Sequence, residues 1–145
     1  MENLSFGQKL QSLRKEYHII TLDDIVDCYN AISPKSITKS AISLWEHNAR
    51  IPSIENIKIF ADIFCISLDG LLNRKTKLYD EEIINNFETI LLNQNTSLPL
   101  PKEYQIAAYR KENYTLEERA TICFILRFAN INPCKALTLY EFFFN

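Results

Sequence analysis

Apolar residues recur every three or four positions along most of this chain, which is the spacing of one face of an α-helix. In the first half the pattern predicts five helices, separated by short segments that hold Ser, Thr, Asn or Pro. These helices are expected at about residues 5–16, 21–30, 38–46, 53–64 and 67–72, with Ser5 and Ser53 as N-caps and His47-Asn48 as the stop of the third helix. Because no segment requires a strand, the pattern predicts an all-α protein.

Three details of these helices bear on the candidate site. The first helix is predicted to turn Leu10 and Leu13 toward the core and Lys9 toward the opposite, polar side. The second helix has a capping box in Thr21 and Asp24. The third helix separates its residues into two faces. Its inner face is predicted to hold Ile37, Ala41, Ile42 and Trp45, and its outer face Lys39, Ser40, Ser43 and Leu44.

The second half has a helical pattern of its own. One stripe is expected to contain Ile83, Ile84, Phe87, Ile90 and Leu91. A polar loop at 93–101 and a helix ending near Asn113 follow, and Thr115 with Glu118 forms a second capping box before the continuously apolar segment 122–126. Asn132 and Pro133 are typical of the start of a last helix.

That last helix finishes in three adjacent phenylalanines, Phe142, Phe143 and Phe144. Because adjacent helical positions spread over a wide arc, all three rings cannot face one core. We therefore expect these residues to form a dimer interface or a partner interface. The polar and basic segment 74–77 is the predicted linker between an N-terminal domain, 1–73, and a C-terminal helical domain, 78–145.

Composition narrows the possible chemistry. The chain has 145 residues, of which 47% are hydrophobic, so it can build one ordinary domain or two small ones. Its four cysteines are widely spaced and are expected to be small core residues, and the two histidines have no ligand spacing to a second His or Cys. No metal, cofactor or catalytic residue is predicted, and we expect a cytoplasmic protein that is neither an enzyme nor bound to membranes.

Five sequence elements occur in a recognisable order. They are Leu13-Arg14, the segment 21–25, ITKSAISLWEHN at 37–48, Arg50-x-Pro52-Ser53 and SLDGLL at 67–72. Together they resemble the phage-repressor (Cro/CI-like, Xre) helix-turn-helix family over about half of the chain. The resemblance implies a five-helix lambda-repressor-like bundle for residues 1–73, with the third helix entering the major groove of DNA.

The resemblance also assigns roles to individual residues. The positions that contact DNA in the family fall on Thr38, Lys39, Ser40, Ser43, Leu44, Asn48 and Arg50. Arg14 and Glu46 match a pair that forms a buried ion bridge in the family and orients the third helix. Leu22 stands where the family usually has a glutamine that contacts the DNA backbone. Leu44 stands where Arg, Lys or Gln is usual, and it could meet a thymine methyl or belong to a protein-binding surface.

The leading hypothesis is a sequence-specific DNA-binding transcriptional regulator, a repressor from a phage or other mobile element. We expect it to act as a homodimer on an inverted-repeat operator in double-stranded DNA. One alternative is a protein-binding inhibitor, such as an anti-CRISPR protein with an autoregulatory helix-turn-helix domain. A further alternative is an antitoxin whose C-terminal half covers its toxin.

Overall fold

The computed structural model describes residues 5–72, 79–93 and 113–144, with side chains throughout except at 91–93. Within these ranges the chain forms helices and no strands, so the all-α prediction is confirmed. The chain divides into two compact units, Met1–Leu78 and Tyr79–Asn145. The predicted linker 74–77, most of the predicted loop 93–101 and most of the helix expected before Asn113 lie outside the described residues.

The described part of the first unit contains five helices, and the first four begin at local caps. Ser5, Thr21, Thr38 and Ser53 each accept a hydrogen bond at the side-chain oxygen from the backbone N–H three residues later, which satisfies a donor that the first turn leaves open. The helices are α1 Phe6–Glu16, α2 Leu22–Ile32, α3 Lys39–Glu46, α4 Ile54–Phe64 and α5 Leu68–Leu72.

The end of α2 differs from its prediction. The helix continues to Ile32, two residues beyond the expected end at Asn30. Ser33 has a ψ of 140° and is therefore extended, and its N–H donates to the carbonyl oxygen of Tyr29. Pro34 explains the position of the stop, because a proline disfavours the helical backbone at the residue before it. Ala31 and Ile32 meet no such restriction and extend the helix.

The core of the first unit is organised around Phe60 in α4, which is fully buried. Its ring lies 5.2 Å from that of Tyr29 in α2, 5.8 Å from that of Trp45 in α3 and 6.4 Å from that of Phe6 in α1, measured between centroids. Tilted and edge-on arrangements at these distances are favourable for aromatic rings. One side chain thus connects four helices, and it holds α3 by the inner face.

Lys9 corrects the prediction for α1. It was expected on the polar side, but only 9% of it is exposed, and its Nζ donates to the carbonyl oxygen of Gly70 at 3.2 Å. The lysine stem covers apolar surface while the ammonium group finds an acceptor in α5. The buried face of α1 is wider than its apolar stripe because α5 packs beside it.

The second unit contains α6 Glu81–Asn93, α7 Leu116–Phe128 and α8 Pro133–Phe144. The capping box of Thr115 and Glu118 opens α7, and Asn132 Oδ1 accepts the backbone N–H of Lys135 at the start of α8, so both predicted starts are confirmed. Segment 122–126 is buried on all sides, as its continuous apolar character predicts.

The predicted stripe of α6 is only partly correct. Ile84 is fully buried, but Ile90 is 52% exposed, and Glu88 is 3% exposed in its place. Glu88 lies one turn after Ile84 and therefore on the same side of the helix. A charged residue can occupy this inward position because Arg119 of α7 neutralises it, with Glu88 Oε2 accepting from Arg119 Nε at 3.0 Å.

Candidate functional site

Helix α3 presents two clearly separated faces. At 100° per residue, Lys39, Ser40, Ser43 and Leu44 occupy one arc of about 140°. Ile42 and Trp45 lie outside this arc and are buried, and Glu46, two turns after Lys39 at the edge of the arc, is buried as well. Of the outer residues, Lys39 and Ser40 are exposed, Ser43 is half-buried and Leu44 is 37% exposed. The structure therefore places these four sequence-predicted residues on one accessible face.

Thr38 lies at the start of this face. Its Oγ1 accepts the backbone N–H of Ala41 at 3.2 Å, and the helix begins one residue later, at Lys39. The side-chain oxygen is thus used as the N-cap, and Thr38 is exposed. Thr38 has a structural task in addition to its predicted place in the site.

The inner side of α3 is held against α1 by an ion pair. Arg14 Nε donates to Glu46 Oε2 at 2.9 Å, and Arg14 Nη2 donates to Glu46 Oε1 at 3.0 Å. The Arg14 side chain is 15% exposed and that of Glu46 is 2% exposed. The side-chain hydrogen bonds to Glu46 raise the pKa of the Arg14 guanidinium, so the guanidinium stays charged. It is the pair that the resemblance implies, and it restrains the rotation of α3 about its axis.

Gly7 brings α1 close to the end of α3. A Cβ atom at Gly7 would lie 2.3 Å from the carbonyl oxygen of Trp45 and 2.7 Å from the side-chain oxygen of Asn48. No side chain larger than hydrogen fits there without a backbone shift. The position of α3 is thus set from two sides, by the packing of Gly7 and by the ion pair of Arg14.

Asn48 and Arg50 follow the end of α3. Asn48 has a φ of 59°, in the left-handed region that asparagine tolerates, and this confirms the predicted helix stop. The N–H groups of Ala49 and Arg50 both point to the carbonyl oxygen of Leu44, at 2.9 and 3.4 Å. Arg50 is exposed, but the Asn48 side-chain oxygen lies beside α1.

The outer face of α3 borders an open groove of about 420 Å³. Its lining includes Leu22, the first residue of α2, together with four residues of α3: Lys39, Ser40, Ser43 and Leu44. The groove thus combines a cation and two hydroxyl groups with two aliphatic side chains. Sequence reasoning noted Leu22 and Leu44 as departures from the family pattern, but it did not place them side by side.

Asp23 is a member of this surface that sequence reasoning missed. Its Oδ2 lies 3.6 Å from Lys39 Nζ, and the two side chains are 71% and 59% exposed. As an acid in the first turn of α2, Asp23 also complements the helix dipole. Such an exposed pair is weak and screened by water, so it biases the position of Lys39 without locking it.

A second candidate surface lies at the end of α8. Phe142 is 61% exposed and Phe143 is 36% exposed, whereas Phe144 is half-buried. The Phe144 ring packs on those of Tyr140 and Tyr114, at 5.0 and 6.2 Å between centroids. The three predicted interface residues therefore separate into two outward rings and one that belongs to the core of its own unit.

The described residues contain no group of three or more His, Cys, Asp or Glu side chains that could hold a metal ion. Cys28, Cys65 and Cys123 are buried, but Cys134 is exposed and corrects the prediction that all four are core residues. Cys134 is the second residue of α8, on the outer side of the first turn. In the parts of the chain that are described, no helix is long and apolar enough to cross a bilayer.

Comparison with protein-family models, curated proteins and solved structures finds no match.

Proposed function

We propose that this chain is a sequence-specific DNA-binding transcriptional regulator, with α2 and α3 as a helix-turn-helix of the phage-repressor (Cro/CI-like, Xre) type. One observation carries the proposal: α3 is anchored by Trp45 and the Arg14–Glu46 pair, while its opposite face remains accessible. A rigid helix with one free polar face is what the major groove accepts. In this reading residues 1–73 form a five-helix bundle, and the regulator is a repressor of a phage or mobile element.

The outer face has suitable chemistry for base reading. Lys39 can donate to guanine O6 and N7, and the hydroxyls of Ser40 and Ser43 can meet several base edges or a phosphate oxygen. Arg50 is exposed just after the helix and can donate to a phosphate oxygen. Each of these groups is polar and has rotational freedom, so the face can adapt to a base sequence without a change of backbone.

Charge sets the expected strength of binding. Residues 1–72 hold 7 Lys and Arg against 9 Asp and Glu, a net charge of 7 − 9 = −2. Around α3 the balance is better, because Glu46 is neutralised by Arg14, and Lys35, Lys39 and Arg50 are all exposed. We therefore expect modest affinity for one bundle, and a homodimer that places two α3 helices about 34 Å apart on an inverted repeat.

A matched pair of lysine variants tests the proposal. The full chain should retard a duplex from its own upstream region, with affinity that falls steeply as salt rises. Lys39→Ala should weaken binding by about 10- to 100-fold and relax the sequence preference, because it removes a base contact. Lys58→Ala removes the same charge from an exposed position of α4 and should change affinity less than about threefold. Equal binding of all sequences at low salt would contradict the proposal.

A second candidate function is favoured by the exposed rings of Phe142 and Phe143. In this alternative the C-terminal unit blocks a protein partner, as in an anti-CRISPR protein or an antitoxin, and the first unit serves autoregulation. Exposed aromatic side chains are enriched at such interfaces. The double variant Phe142→Ala and Phe143→Ala should then restore the activity of a nuclease or toxin encoded beside this chain and leave retardation of upstream DNA unchanged.

A further inference from the structure

The groove beside α3 also contains aliphatic side chains, which take no part in the polar DNA contacts proposed above. Leu22 from α2 and Leu44 from α3 both line it, next to Ser40 and Ser43. Leu44 is 37% exposed, on the same face as Lys39. Leu22 is half-buried, so the two leucines form a partly accessible aliphatic patch within a polar surface. Such a patch loses its remaining contact with water only when an apolar group covers it.

We infer that Leu22 and Leu44 form a receptor for the 5-methyl group of one thymine in each half of the DNA site; this inference rests on the proposed function. In the major groove, thymine alone among the four bases presents a methyl group. Neither leucine can form a hydrogen bond, so the pair distinguishes bases by apolar contact. Lys39 lines the same groove, and its ammonium group, which also forms the exposed pair with Asp23 at 3.6 Å, is the cation that can attract the polyanionic duplex.

The positions of the two leucines favour a fixed receptor. Leu22 directly follows the N-cap Thr21, whose capping box holds the first turn of α2. Leu44 precedes Trp45 and Glu46, both buried, in the last turn of α3. Since both side chains extend from anchored turns, a methyl group meets a surface that needs little reordering on binding.

Replacement of thymine by uracil is the direct test, because it removes the methyl group and keeps every hydrogen-bonding atom of the base. Duplexes are first selected from a randomised pool with the full chain, and each thymine of the best duplex is then changed to deoxyuridine in turn. We expect one position in each half-site where the change weakens binding about fourfold, the value of one buried methyl group. Changing both positions together should weaken binding about 15-fold.

Variants connect this effect to the groove. Leu44→Ala should bind the thymine and uracil duplexes within about 1.5-fold of each other, because the apolar contact is already lost. Leu72→Ala is the control: it makes the same truncation at a residue of α5 that is 49% exposed, and it should keep the fourfold difference.

The possible outcomes distinguish failure of the proposed function from failure of the inferred methyl receptor. If no duplex is enriched, the proposed function fails and the inference fails with it. If an enriched duplex tolerates uracil at every position, the inference is overturned while the proposed function stands. Equal sensitivity to uracil in the original chain and in Leu44→Ala would overturn the assignment of the receptor to this groove.

Discussion

Each of the two units of this chain contains a buried arginine–glutamate pair, but the surroundings of the two pairs differ. In the first unit Arg14 of α1 holds Glu46 of α3, and in the second unit Arg119 of α7 holds Glu88 of α6, each through two hydrogen bonds. In both pairs the glutamate side chain is at most 4% exposed. The first pair stands behind an accessible polar face, whereas the second joins two helices within a core.

The pairs also differ in the number of hydrogen-bond acceptors around the arginine guanidinium. Arg119 Nη2 donates to Asn85 Oδ1 at 2.8 Å as well as to Glu88, and the hydrogen bonds to Glu88 raise the pKa of the Arg119 guanidinium. Arg14, by contrast, donates both of its side-chain hydrogen bonds within the described residues to Glu46. A buried charge is tolerated when an opposite charge and hydrogen bonds compensate it. Removing one partner of such a pair is strongly destabilising, because the other charge then remains buried without compensation.

Loss of the glutamate should produce the largest effects. Glu46→Ala leaves the Arg14 guanidinium without its carboxylate and should lower the free energy of unfolding by about 3–5 kcal/mol. Glu88→Ala should cost about 3 kcal/mol, the lower end of that range, because Arg119 keeps Asn85. Urea unfolding measures both, with the fluorescence of Trp45, the single tryptophan, for the first unit and circular dichroism for the helices of the second.

A double variant provides the control for this prediction. If Arg14→Ala is added to Glu46→Ala, the combined loss should be smaller than the sum of the single losses, because each single change already breaks the same pair. Additive losses would mean that the two residues act independently, against the bidentate geometry.

Replacing single phenylalanines of α8 should produce losses of stability of intermediate size, and these losses should differ between Phe144 and Phe142. Phe144→Ala removes a half-buried ring from its contacts with Tyr114 and Tyr140 and should cost about 2 kcal/mol of unfolding free energy. Phe142→Ala removes a ring that is 61% exposed and should cost less than about 0.5 kcal/mol. If the outward rings form the predicted dimer interface, sedimentation will show weaker self-association for Phe142→Ala. A large loss of stability for Phe142→Ala would contradict this assignment.

The smallest expected effect is a change in DNA affinity when an acidic residue in the first turn of a helix is neutralised, and one such residue is compared in each unit. Asp23→Asn removes a negative charge beside Lys39 and should strengthen DNA binding about two- to fivefold at low salt, because the lysine is released and repulsion of phosphates falls. Glu117→Gln makes the same charge change in the first turn of α7 and should leave DNA binding unchanged. Titration of a labelled duplex measures both. Equal effects would mean that only net charge matters.

Sequence reasoning succeeded where the determining contacts are local. The N-caps at Ser5, Thr21, Ser53 and Thr115 depend on residues three positions apart, and the left-handed stop at Asn48 depends on that residue type. The accessible face of α3 could be predicted from the helical period of its polar and apolar residues alone. The α6 stripe was harder to predict, because a stripe identified from apolar residues leaves out Glu88, a charged residue that faces inward.

The sequence by itself determined where the helices begin, which of their faces are mostly apolar and which residues line the outer side of α3, since these depend on neighbours within one or two turns. Tertiary structure decided that Lys9 is buried against Gly70, that Glu88 pairs with Arg119 and that Asp23 and Leu22 adjoin the face of α3. The first two contacts join residues 61 and 31 positions apart. No local pattern encodes such pairings, because they exist only when separate helices pack together.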